Sequence, residues 1–293
     1  LLTEQYAHFQ VMWDRIAEKY HCPVIQNNFE YPFYRILGNR EAVDIHGRIS
    51  FINRLNDRFY EYARSHAHFY INDLNYMASA YGLDKWADPL YWHMYKYAMC
   101  LQAIPEFACN VSHIIKAIFG KNKKALVLDL DNTLWGGIVG DDGVEHLEIG
   151  QETPMGQVYA EFQGYVKAQK DIGVLLCVDS KNEEDNAIAG LNHPDGTLKP
   201  EDFIVIKANW EPKSSNIVEI AQELNILPDS LVFVDDNPAE REIVERQVAG
   251  VSVPGIGSPE QYIRVLDRSG FFEVTHQTEE QRKPNEKNKH KLQ

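Results

Sequence analysis

The sequence predicts an α/β protein whose second half folds around a parallel sheet. Short apolar runs recur there at 125–130, 174–178, 203–206 and 231–234. Longer stretches with helical spacing of apolar residues separate them, so strand and helix alternate. The run at 125–128 is apolar at every position, as in strands covered on both faces. Repeated β-α units of this kind imply parallel strands joined by right-handed crossovers.

Taken in order, residues 1–20 predict an amphipathic helix with Tyr6, Phe9, Trp13, Ile16 and Ala17 on one face. A short strand at 23–26 leads into Asn27-Asn28. A second helix is expected over 42–65, with Ile49, Ile52, Leu55 and Phe59 in phase, and a strand over 69–71. Residues 86–119 read as helical, interrupted at Pro105. This half forms an incomplete α/β layer. Its polar residues His66, His68, Asp73, Asp88 and His93 are read as helix caps and hydrogen-bonded core partners.

The basic stretch Lys121-Asn122-Lys123-Lys124 marks the expected boundary, giving domains over 1–120 and 121–270 and a polar tail over 271–293. After the first strand come a Gly-rich turn and a hairpin signal, with 138–139 and 144–149 flanking Asp141-Asp142-Gly143. Helices are expected at 157–171, closed by Gly173, and at 185–191, 214–224, 238–249 and 259–266, with a last strand at 251–253.

The chain of 293 residues is 44% hydrophobic, enough for a packed core. A net charge of -14 argues against a nucleic-acid or anionic-membrane binder but leaves room for a local phosphate pocket. Cys22, Cys100, Cys109 and Cys177 show no metal spacing and are expected to be buried free thiols of a reducing, cytoplasmic compartment. No signal peptide or membrane span is expected. The opening Leu1-Leu2-Thr3 reads as the start of a piece cut from a longer protein.

Four polar clusters fall at strand ends or helix starts of the second half: Asp129-x-Asp131-x-Thr133, Asp179-Ser180-Lys181-Asn182, Lys213, and Asp235-Asp236. Open α/β sheets place their ligand sites at the carboxyl ends of the strands. Carboxylates there are costly to bury unless a cation offsets them. An Asp nucleophile attacking phosphorus must overcome repulsion between two anions, which Mg²⁺ held by acids from two strands reduces. Asp129 is the expected nucleophile, and Asp131 the general acid/base. The metal ligands are then the side chains of Asp129 and Asp236, supported by Asp235, with the backbone carbonyl of Asp131. Thr133, Ser180, Lys181 and Asn182 are expected to bind the phosphoryl group. Lys213 supplies a fixed positive charge beside it.

These clusters resemble the four motifs of the haloacid dehalogenase superfamily. More narrowly, DLDNTLWGGIVGDDG, DSKNEED, NWEPKSSNI and VFVDDNPAERE resemble the FkbH-like subfamily. The resemblance covers Lys124 to about Gly257. It implies a Rossmannoid core, Mg²⁺ dependence and phosphoryl chemistry through an aspartyl-phosphate. In that subfamily some members make a glyceryl thioester on an acyl carrier protein. Members commonly carry Cys just before the motif Ser, where this chain has Asp179. The departure favours hydrolysis of a phosphate ester or acyl phosphate over carrier-dependent transfer. Full-length relatives carry an N-terminal domain similar to SGNH hydrolases. Asp88 and His93 resemble its late Asp/His block, though at longer spacing, and no catalytic residue is carried over. The segments between the motifs are too short for a large cap domain, so an open site is expected, with Trp135 lining its mouth or packing the flap onto the core.

Overall fold

A computed structural model describes residues 1–275, and the chain forms two compact units, Leu1–Lys116 and a second beginning at Ala117. Most of the expected polar tail lies outside the described residues. Its first residues, Phe271 and Phe272, pack against the core of the second unit.

In the first unit, α1 (Leu2–Tyr20) precedes β1 (Val24–Asn27), and α2 (Arg48–Ser65) precedes β2 (Phe69–Asn72). The two strands pair in parallel. Trp13 from α1 packs against Phe59 and Tyr62 from α2 and Phe69 from β2. The helix expected from residue 42 starts at Arg48, because Glu41 ties the preceding turn. Its carboxylate accepts the N–H groups of Ile36, Leu37 and Arg48. Next come α3 (Leu74–Tyr81), α4 (Leu83–Trp86), α5 (Pro89–Tyr95) and α6 (Ile104–Ile118). The sequence reading missed α3 altogether, although Asp73 caps it by accepting from Tyr76 N–H. Pro105 does not interrupt a helix. It lies in the first turn of α6, where its missing N–H costs nothing. Asp88 caps α5, and His66 stacks on Tyr62 with centroids 3.7 Å apart, so these residues do cap and pack. A cavity of about 1310 Å³ in this unit is lined by aromatic residues such as Phe29, Tyr34, Phe51, Trp86 and Trp92.

The second unit holds a parallel sheet in the order β5-β4-β3-β6. Its strands are β3 (Ala125–Leu128), β4 (Leu175–Ser180), β5 (Val205–Ala208) and β6 (Leu231–Val234). Alternation along β3 sends Leu126 and Leu128 into one apolar layer and Ala125 and Val127 into the other. All four are fully buried, which explains the unbroken apolar run. The helices are α7 (Val139–Asp142), α8 (Pro154–Asp171), α9 (Glu184–Leu191), α10 (Lys213–Glu223), α11 (Pro238–Gln247) and α12 (Tyr262–Ser269).

The flap differs from the hairpin expected there. Asp142 accepts Ile138 N–H and so closes the single turn α7. The only trace of a hairpin is one antiparallel bridge between Gly136 and Glu148. The strand expected at 251–253 is reduced to a single bridge between Val232 and Ser252, ending before Pro254, which has no N–H to donate. No large cap interrupts the core among the described residues. No helix among the described residues is long and apolar enough to cross a membrane. The thiols are free, but Cys22 and Cys109 are exposed, contrary to expectation. Cys22 follows the left-handed residue that ends α1, and Cys109 sits on an exposed part of α6.

Candidate active site

β4 and β5 lie on one side of β3 and β6 lies on the other, so the strand order reverses beside β3. The crevice at such a reversal is where α/β sheets bind ligands. Asp129 leaves the end of β3, and its N–H bonds to Val234 at the end of β6. Asp235 and Asp236 follow on that neighbouring strand. Asp129, Asp235 and Asp236 each bring an oxygen within 4.8 Å of the others.

Lys213, at the first residue of α10, is 3% exposed and reaches Asp129 Oδ1 at 3.0 Å and Asp235 Oδ2 at 2.5 Å. Burial works against its charge, but Asp129 and Asp235 outweigh burial and hold the ammonium above its ordinary range. One lysine does not balance three carboxylates. Burial, then the charge of Asp129, pushes the Asp235 carboxyl up to about 6 and raises that of Asp236 as well. A hard divalent cation would reverse both effects, and an all-oxygen donor set suits one. The residues therefore fit a metal.

Asp131 stands apart from that cluster. Its Oδ1 accepts from Trp135 Nε1 and from Val139 N–H, both at 3.0 Å, and its Oδ2 accepts from Asn182 Nδ2 at 2.8 Å. Its carboxylate is not among the clustered acids, and the sequence reading gives the metal only its backbone carbonyl. Asn132 adopts φ 53°, and its side chain accepts Gly137 N–H, turning the chain sharply after the strand.

The other expected residues divide. Ser180, 2% exposed, ends β4 and accepts from Asn182. Thr133 is fully buried and accepts Asp236 N–H through its hydroxyl. Lys181 pairs with Glu240 on α11 at 2.5 Å, its ammonium already engaged. Trp135 is 1% exposed, so it packs the core and does not line a mouth.

Several contacts at the site escaped the sequence reading. Trp135 orients Asp131, and the four-residue spacing between them was the available signal. Arg241 Nη1 donates to the carbonyls of both Asp235 and Asp236, fixing the loop that carries them. Asn216, 2% exposed on α10, donates to Asp179 Oδ1. Asp179 is fully buried, and its Oδ2 has no hydrogen-bond partner among the described residues. Burial pushes its carboxyl up to about 7, against Asn216 and Lys213.

Among solved structures the chain is similar to the N-terminal part of the protein BF1531 from Bacteroides fragilis, which contains a phosphatase domain complexed with Mg. The two share 33% identity at a TM-score of 0.87, over 94% of this chain and 77% of that one. The chain belongs to the haloacid dehalogenase phosphatases. A haloacid dehalogenase family enzyme from Bacteroides thetaiotaomicron, in complex with magnesium and inorganic phosphate, matches at 15% identity and a TM-score of 0.33, over 48% of this chain and 97% of that one. No family model and no curated protein matches the chain. The second unit holds the parallel Rossmannoid sheet expected of that fold, with no large cap among the described residues.

Proposed function

We propose that the second unit is a Mg²⁺-dependent phosphohydrolase that works through a phosphoryl group carried on Asp129. The observation that carries this reading is the separation of two neighbouring carboxylates. Asp129 faces Lys213 and the clustered acids, whereas three donors hold Asp131 outside that cluster. One is arranged as a nucleophile and the other as a proton carrier. Mg²⁺, with which the BF1531 domain is complexed, would neutralise charge between the attacking carboxylate and the phosphoryl oxygens. The side chains of Asp129, Asp235 and Asp236 and the carbonyl of Asp131 would hold it.

An Asp129 oxygen attacks phosphorus as the bond from phosphorus to the leaving oxygen breaks, and Asp131 gives that oxygen its proton. Asp131 then takes a proton from water, whose oxygen attacks phosphorus and frees Asp129, releasing inorganic phosphate. Lys213 and the Ser180 hydroxyl face the phosphoryl oxygens. Thr133 and Asn182 act through their neighbours, fixing the Asp236 backbone and the Asp131 carboxylate. The substrate class is a phosphate ester or acyl phosphate, and a site without a large cap admits a bulky leaving group.

Transfer of a glyceryl group to an acyl carrier protein is not favoured. Asp179 stands where that chemistry would need a thiol, and burial pushes the fully buried Cys177 thiol up to about 12. The test is phosphate release over a panel of phosphate esters and acyl phosphates with Mg²⁺ present, using Asp129→Asn as control. Release that disappears in the variant is expected. Release that persists in it overturns the role of Asp129.

A further inference from the structure

Trp210 is 67% exposed, although it belongs to the largest apolar side chains of the protein. It is not loose. Its Nε1 donates to Glu183 Oε1 at 2.7 Å, across the gap between two loops. One loop follows β5 and runs into Lys213. The other follows Ser180 at the end of β4 and carries Asn182. The same two loops are stitched by Asn209 N–H to the Ser180 carbonyl at 3.2 Å, and Asn209 Oδ1 accepts Glu211 N–H at 3.0 Å. The indole is thus held by its polar edge at the carboxyl end of the sheet, while most of its surface stays open to solvent.

The sheet order sets how far this ring lies from the chemistry. β5 is two strands from β3, and Ala208 at its end is in register with Ser180. At roughly 4.8 Å between strands, the end of β5 lies about 10 Å to the side of the end of β3, and Trp210 follows two residues beyond it. A phosphoryl group at Asp129 would leave the rest of a small ester to reach across that distance.

We propose that Trp210 is a specificity-determining residue, a stacking platform for a flat ring in the leaving group of the phosphate ester. This rests on the phosphohydrolase reading and narrows its substrate class to esters with a ring at that reach. A ring stacked on indole excludes water from both faces, and such stacking changes affinity by about tenfold or more. The rival role is mechanical, with Trp210 only clamping the two loops through its N–H.

Calorimetric titration with two inert phosphonates, Mg²⁺ present, separates these roles. One probe is butylphosphonate. The other is 4-phenylbutylphosphonate, whose spacer carries a ring toward β5. The native protein is expected to bind the aryl probe about tenfold more tightly than the alkyl one. Trp210→Ala is expected to lose that preference, and Trp210→Phe, which keeps a ring but no N–H, to retain most of it. Equal affinities in the native protein overturn the platform. So does Trp210→Phe behaving like Trp210→Ala, which assigns the residue to clamping. Failure of both probes to bind overturns the phosphoryl site itself, and the platform with it. Turnover of acetyl phosphate that depends on Asp129 tests the underlying reading without involving a ring.

Discussion

At the residue scale the proposed chemistry rests on the different neighbours of two carboxylates. Asp129 has an ammonium beside it, while Asp131 has an indole N–H, a backbone N–H and an amide. Asp131→Asn keeps the shape but cannot carry the proton, so kcat is expected to fall by about 10²–10⁴-fold. Asp129→Asn is expected to abolish turnover. Phosphate-release assays on both variants check this, and equal, mild losses would contradict the covalent route. Trp135→Phe keeps a core aromatic but removes one donor to a charged group, an interaction of roughly 1.5–3 kcal/mol. A drop in kcat of about tenfold with little change in KM is expected. The acids, Ser180 and Lys213 were legible in the sequence because each sits at the end of an apolar run or the start of a helix. Their supports were less legible. Asn216 and Asp179 are 37 positions apart, and nothing local announces that they meet.

At the element scale, the alternation of strands and helices in the second half was readable because β3 and β6 are buried on both faces and leave unbroken apolar runs. Edges were less readable. The expected strand 203–206 is found at Val205–Ala208, since Phe203 serves the core before the strand begins. The hairpin was misread because its Asp-Asp-Gly turn signal is used differently. Asp142 bonds back to Ile138 and makes a helical turn, and that turn presents the Val139 N–H that holds Asp131. A related dependence links α9 to the same carboxylate. A Cβ on Gly190 would lie 2.8 Å from the Trp135 ring. Gly190→Ala must push the indole or the helix aside, and overpacking of this kind costs about 1–3 kcal/mol. Reduced thermal stability is therefore expected, together with lower kcat as the Trp135 bond to Asp131 is disturbed. Gly164 on α8, where an added Cβ meets nothing within 4 Å, is the comparison, and Gly164→Ala should be neutral or slightly stabilising.

At the scale of the whole molecule, the chain carries a net charge of -14, and its site sets three clustered acids against one buried lysine. Mg²⁺ binding only the folded form adds stability by mass action, about 2.7 kcal/mol at a hundredfold excess over its dissociation constant. Thermal melts are expected to shift upward with Mg²⁺ and return with EDTA, and Asp236→Asn should blunt the shift. Asp179 yields the complementary prediction, made on metal-free protein. Its carboxyl is buried with one oxygen unpartnered, and burial raises it from 3.8 to about 7 in the folded state. Between those values the folded protein holds a proton that the unfolded chain has released. Stability from this group is therefore present below about pH 4 and is lost as pH rises toward 7, at no more than ~1.4 kcal/mol per pH unit. Asp179→Asn stays neutral throughout and keeps an oxygen to accept from Asn216. The variant should match the native protein at about pH 4 and below and melt higher than it at pH 8. If the two melting curves stay parallel across that range, Asp179 is ionised in the fold and the unpartnered oxygen has another cause.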